Sequence, residues 1–339
     1  MEYLAIDQSL FWFKILSLDQ GQISSIQRKK MKFEYKSVPL KQNWDQELPK
    51  YWFDNSPLKT HFMNGVSLMI PVAENAVIHT IKETQKELTN PQLKLQIAEM
   101  IAQENWHSYS HRKYNEWLTK IGLPGPELAS EYMHFFITSK KRLDRLFGKR
   151  LWLPGIVGGE HNAVCMMEYL LERPAMLATM HPHFRQAWVW HCIEEIEHKG
   201  SSMDMWLDTK VLQRRKKLLL NFTCIVAFVR INYFIMKNMF ALLKHDNELW
   251  KWRTLKDGLS FFLGRDGIIT KTFVPFFKCL VPNWNPWDHD TRYLIEQYNK
   301  VALSTPMSAE ELAQIDVEFH GCIEDIENII KEHNKIKII

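Results

Sequence analysis

Apolar residues recur at intervals of three and four along most of the chain, and no stretch alternates apolar and polar positions long enough to suggest a series of strands. The predicted fold class is therefore all-α. Positions 60–88 read as helix, with Pro71 kinking or interrupting it one turn before Glu74, because a proline lacks the backbone donor and crowds the preceding turn. Thr89-Asn90-Pro91 stops that helix and caps the next, which runs from Pro91 to about Lys120 and ends at Gly122 and Pro124-Gly125-Pro126. A third helix covers 127–147. Pro154-Gly155 joins it to a helix that holds Glu160 and runs to Glu172, and Pro174 with His181-Pro182-His183 leads into another from Phe184 to about Leu207.

This pattern divides the chain into three parts: an N-terminal extension (1–30), a helical bundle (31–210) and C-terminal helices packed on it (211–339). The extension ends in the basic Arg28-Lys29-Lys30, and the proline-punctuated stretch 33–57 reads as a strap across the bundle. Beyond the bundle come an apolar helix at 218–240, a segment at 250–267 and the Pro- and Trp-rich 282–288. Two final helices follow, near 290–302 and 308–334, the second opened by the capping box of Ser308 and Glu311.

Composition narrows the class. Hydrophobic residues at 46% and charged residues at 24% are ordinary for a globular chain and exclude disorder as the main state. A net charge of +4 is too slight to predict nucleic-acid binding, which needs a concentrated basic face. The five cysteines (Cys165, Cys192, Cys224, Cys279, Cys322) are scattered, with no Cys-x-x-Cys, as expected for reduced thiols in a cytoplasmic protein. The N-terminus has no basic n-region followed by an apolar core, so export is not expected.

The stretch 218–240 is as long as a membrane span but carries Asn221, Arg230, Asn232 and Lys237. Each cation at mid-membrane would cost about 2.5–3.5 kcal/mol on insertion scales, which favours a buried or interfacial helix. The preceding Arg214-Arg215-Lys216-Lys217 leaves open peripheral contact of 214–240 with the anionic inner face of a membrane. A homo-oligomer is left open too.

The chemistry lies in a repeated order of acidic and imidazole groups: Glu74, then Glu104-x-x-His107, then Glu160, then Glu195-x-x-His198. A helix turns about 100° per residue, so Glu and His three apart lie about 60° from each other and both reach inward. A lone Glu followed by a Glu-x-x-His pair, occurring twice, supplies the carboxylates and imidazoles of a two-metal centre in a four-helix bundle. A carboxylate in the apolar setting of Glu74 is costly to bury unless a cation compensates it. His191, four before Glu195 and seven before His198, shares their face and is a candidate third imidazole ligand. His111, Glu194 and Asp204 are expected just behind the ligands, Glu194 by accepting the second N–H of a ligand histidine. Trp106 and Tyr109 are candidate walls of a substrate pocket. Mixed imidazole and carboxylate ligation suits iron or manganese, and the His-Glu-x-x-His of zinc hydrolases is absent.

Several of these stretches together resemble the bacterial family of predicted metal-dependent hydrolases. They are Arg28-Lys29-Lys30, Pro71 before Glu74, Gln103-Glu104 with His107 and His111, Glu160-His161, Trp190-His191 through Glu194-Glu195-Ile196-Glu197-His198-Lys199, and Pro286-Trp287-Asp288. The resemblance covers roughly 30–300 and departs at Ala73, where Gly is expected, and at Asn162, where Thr is expected. The spacing His191-x-x-x-Glu195-x-x-His198, with Glu74, Glu104-x-x-His107 and Glu160, is also similar to the di-iron p-aminobenzoate N-oxygenases. That likeness implies a ferritin-like bundle, two iron ions (or manganese, or one of each) and a third histidine ligand in the last helix. The expected function is O2-dependent oxidation of a small organic substrate. The alternatives are a metal-dependent hydrolase that activates water, and a non-catalytic metal-binding or membrane-associated protein.

Overall fold

Prolines open one helix after another, where the missing donor costs nothing because the first-turn N–H groups have no partner within the helix. The computed structural model describes residues 36–147, 152–209 and 216–298. The extension at 1–30, Arg214, Arg215, Cys322, the Ser308 and Glu311 cap and the last expected helix lie outside the described residues.

The expected helix at 60–88 is split into α1 (Pro57–Ser67) and α2 (Ile70–Thr84), with Pro71 in the first turn of α2. Pro71 therefore starts the helix that carries Glu74 rather than kinking a longer one. Helix α3 (Pro91–Lys120) begins at Asn90, whose side chain accepts from Gln92 N at 3.0 Å and Leu93 N at 3.4 Å. Helix α4 spans Gly125–Phe147 and α5 Trp152–Leu171, so Pro154 lies inside the first turn of α5 and not in a linker before it. After the short α6 (Pro174–Ala178) comes α7 (Pro182–His198).

The single helix expected from Phe184 to Leu207 breaks directly after His198, and α8 (Ser201–Asp208) follows. Gly200 stands in the break. A Cβ there would meet the Trp287 indole at 2.4 Å, so the ring occupies the space that any other side chain would need. Helices α9 (Lys216–His245), α10 (Trp252–Leu263), α11 (Ile268–Phe277) and α12 (Arg292–Gln297) complete the described fold. The described residues contain no strand, only an isolated bridge between Phe53 and Met180. The chain is all-α.

Helix α2 packs on α3, α3 on α7, α7 on α5 and α5 back on α2, closing a ring of four. Helix α9 packs along α1 and α5. The approach is close enough that a Cβ on Gly65 would lie 2.9 Å from Ile235 O and one on Gly158 2.6 Å from Cys224 Cα. By length and composition α9 is able to cross a membrane. Within the fold, one face buries Leu220, Cys224, Phe234, Ile235, Met239 and Leu242, while the other exposes Leu218, Phe222, Ile225, Val229 and Tyr233. The helix was expected to be buried or interfacial, and it is buried along one face only.

The strap is present from Lys36. Leu40 is buried with Ala187 and Trp190, and Trp44 stacks on Tyr114 at 5.1 Å between centroids. Below it lies an aromatic core in which Trp52 stacks on Phe184 at 4.5 Å.

Candidate metal centre

The ring of four helices aims its acidic and imidazole side chains at one interior point. Glu74 comes from α2, Glu104 and His107 from α3, Glu160 from α5, and His191, Glu195 and His198 from α7; all seven are buried. Potential ligand atoms of Glu74, His107, His191 and Glu195 lie within 4.8 Å of one another, and so do those of Glu104, His107, Glu195 and His198. His107 and Glu195 belong to both groups.

Individual separations describe the same convergence. His107 Nδ1 is 3.3 Å from Glu104 Oε2, 3.5 Å from Glu195 Oε1 and 3.9 Å from Glu74 Oε1. His191 Nε2 lies 3.2 Å from Glu195 Oε1. His198 Nδ1 is 3.3 Å from Glu160 Oε2, and its Nε2 is 3.6 Å from Glu104 Oε1.

Glu104 Oε1, Glu160 Oε2 and Glu195 Oε2 are buried without a hydrogen-bond donor. Buried carboxylate oxygens in that state are expensive, and a shared cation is the group that fits the donor set. Burial lifts the carboxyls of Glu74 and Glu104 well above their ordinary range and that of Glu160 above it, with the nearby charge of Glu195 adding in each case. Burial disfavours the charged imidazole of His198. The Glu160 carboxylate close beside it and the charges of Glu195 and Glu74 outweigh that effect and raise it to about 9.

Behind the ligands the structure places two orienting arrangements. His107 Nε2 is 3.2 Å from Glu194 Oε2, whose other oxygen accepts from Val38 N of the strap at 3.2 Å. Nδ1 faces the cluster, and the Glu194 carboxylate backs the ring from the far side. Glu194 was expected beside a ligand histidine; the one it faces belongs to α3, not to its own helix.

The second arrangement is a chain. Asn115 Nδ2 donates to Ser67 O at 3.0 Å, which leaves Asn115 Oδ1 to accept from Ser67 Oγ at 2.8 Å. With its proton committed, Ser67 Oγ accepts from His111 Nδ1 at 2.9 Å, so His111 Nε2 must accept from His191 Nδ1 at 3.1 Å. His191 is left with a bare Nε2 facing Glu195. Burial, followed by the neighbouring imidazoles, pushes His111 and His191 well below the usual histidine range, which keeps both neutral as the chain demands.

Asp204 is placed elsewhere. It sits in α8, where Oδ2 accepts from Trp287 Nε1 at 3.0 Å and helps seat that ring over Gly200. Trp106 packs with Leu40, Ala187 and Trp190 beneath the strap rather than walling the site. The walls are instead supplied by α1, α2, α4, α5 and α9, around a cavity of about 280 Å³ that reaches Glu74, Glu160, His191 and Glu195.

A family model matches residues 39–290. The chain belongs to the family of predicted metal-dependent hydrolases. Its description agrees with the buried ligand cluster in requiring a metal, and it matches the hydrolase alternative of the sequence reading rather than the oxygenase. No curated protein and no solved structure matches the chain.

The sequence reading missed Ser67, Asn115 and the strap contact to Glu194. Asn115 had a signal: His107, His111 and Asn115 follow one another at intervals of four on α3 and share one face.

Proposed function

We propose that the chain is a metalloenzyme that holds two first-row transition-metal ions, iron by preference, and oxidises an apolar substrate with O2. The observation that carries this reading is the position of the ligand cluster at the inner end of a cavity with almost wholly apolar walls. Two further features support it. The ring of four helices, each contributing a carboxylate, has the composition of a ferritin-like two-metal protein. Mixed imidazole and carboxylate donors suit iron or manganese.

Glu74, Glu104, His107, Glu160, His191, Glu195 and His198 would hold the ions. The bound pair would supply the binding and reduction of O2. Glu194 aims His107, and the Asn115–Ser67–His111 chain aims His191. The apolar wall excludes bulk water from the reacting end and so protects an oxidation from quenching.

Hydrolysis is the second reading, and the family description favours it. The same ligands would serve a Lewis-acid activation of water. The two readings part in one experiment: load the protein with iron(II) without air, admit O2, and follow visible absorption and O2 consumption with and without apolar substrates. Substrate-dependent O2 uptake is expected. Metal-dependent cleavage of esters or amides with no O2 uptake would replace this reading with the second.

Peripheral contact of α9 with an anionic bilayer also belongs to this reading. The exposed apolar stripe of α9 and the absence of any acidic residue from Lys216 to His245 support it. Cosedimentation with phosphatidylglycerol vesicles but not with phosphatidylcholine vesicles is the expected outcome.

A further inference from the structure

The cavity that reaches the metal ligands has a cation on its wall with nothing to neutralise it. Arg230 of α9 is partly buried and lines the cavity together with Phe222 and Val226 of the same helix. Its guanidinium lies over the Phe135 ring of α4, 4.8 Å from the centroid. Among the described residues it has no carboxylate partner and no hydrogen bond. Other cations of the neighbourhood are matched: Lys237 pairs with Glu131, Lys140 with Asp144 at 2.8 Å, and Lys199 with Glu168 at 3.8 Å. A guanidinium keeps its charge under all ordinary conditions, and taking it partly out of water without a counter-charge is unfavourable.

The rest of the wall is suited to a hydrocarbon. Val66, Ile70, Phe136, Trp152, Ile231 and Ile235 line the same cavity as Arg230 and the metal ligands. Tyr132 also lines it. Burial raises its hydroxyl to about 12, the charge of Arg230 opposes that rise and the charge of Glu74 adds to it. Phe222 belongs both to the cavity and to the exposed stripe of α9, which makes the apolar path continuous with the surface.

We infer that this chamber binds a single-chain amphiphile with an anionic head group, the head held by Arg230 and the chain directed inward to the metal centre. Arg230 is thus a specificity-determining residue: its planar donors match a carboxylate, and Phe135 beneath the guanidinium holds the fork in place. The inference rests on the cavity being the substrate chamber of the proposed centre. It does not depend on which reaction that centre performs.

Isothermal titration of the metal-loaded full chain with dodecanoate, below its micelle-forming concentration, and with dodecanol tests it. In wild type, dodecanoate is expected to bind more tightly than dodecanol. Arg230→Gln should weaken dodecanoate at least tenfold, leave dodecanol within about twofold and leave the metal content unchanged, while Arg230→Lys, which keeps the charge and loses the fork, should weaken dodecanoate less than Arg230→Gln does. Ala163→Phe, which fills the chamber, should abolish binding of both. An unchanged dodecanoate affinity in Arg230→Gln would mean that the head group goes to the metal or elsewhere, and overturns the inference. Equal weakening of both ligands, undiminished binding in Ala163→Phe or no dodecanoate binding in wild type overturns it as well. Because the readout is binding, an inactive oxidation centre would refute the proposed reaction and leave this result standing.

Discussion

Helix α3 passes through two interiors that handle buried polarity in opposite ways. Toward its C-terminal half, among the stacked rings, the central polar atoms are matched: Asn64 Oδ1 accepts from Tyr114 Oη at 2.6 Å and from Trp52 Nε1 at 3.2 Å, and His61 Nε2 meets Asp246 at 2.9 Å. About three turns earlier, oxygens of Glu104, Glu160 and Glu195 are equally buried and have no donor. The polar atoms left unmatched among the rings, Trp188 Nε1 for one, are neutral and carry no charge to compensate. The acidic end needs a cation to complete it, and a ligand cluster differs from a polar core in that unfinished accounting of donors and acceptors.

Removing metal and removing donors should therefore have different effects at the two ends. The largest effect is expected at the acidic end: a chelator should lower the melting temperature by roughly 6 °C, taking about 4 kcal/mol as the linkage contribution of a tightly held ion. Glu104→Gln should abolish most of that metal-dependent gain, yet leave the metal-free protein no less stable than wild type, since it removes one buried acidic group. Calorimetry with and without iron checks both halves. A Glu104→Gln protein that is destabilised equally in both states would mean that the two interiors do not differ.

At the aromatic end, Asn64→Ala strips the partner from Tyr114 and Trp52 and should cost about 1–3 kcal/mol. That loss should be the same with or without metal, as measured by denaturant titration. A metal-dependent loss would join the two ends into one network.

Smaller effects sharpen the acidic end further. Ser67→Ala breaks the chain that fixes the tautomer of His191 and should weaken metal affinity about 10- to 100-fold while leaving the number of bound ions unchanged. A competition assay with a calibrated chelator reads this directly.

The pH dependence follows from the signs of the shifts. Glu74, Glu104 and Glu160 have raised pKa values in the metal-free fold, so their contribution to stability is present below the ordinary carboxylate value of about 4.3 and is lost as pH rises through the raised values. His198, raised to about 9, acts in the same direction at higher pH. His111 and His191 are lowered, and their contribution is lost as pH falls below about 6.5. Metal must displace the protons on the acids and on His198, so the gap in melting temperature between loaded and metal-free protein should widen from pH 5.5 to about pH 8. Thermal melts across that range check the sign.

The helices were legible because apolar spacing, proline and capping asparagine act locally. Pro91 and Asn90 mark the start of α3 in sequence as they do in space. Ligand order was legible for the same reason, since Glu-x-x-His shares a face whatever the helix packs against. The break at Gly200 was not, because its cause is an indole from far along the chain. Nor was the role of Arg230. In sequence it reads as an interruption in an apolar run, and only the packing of α9 against α5, with Phe135 of α4 beneath the guanidinium, gives it a chamber to serve. Glu194 was legible as a neighbour of the ligands, but its second contact, to Val38, comes from an irregular segment that has no period to read.

Trp287, seated on Gly200 at the end of α7, has a consequence for the order of assembly. His198 lies two residues before that glycine, so the last imidazole is held in register by a part of the polypeptide made long after it. During synthesis Trp287 must be made before the His198 end of α7 can reach the packing it has in the folded chain.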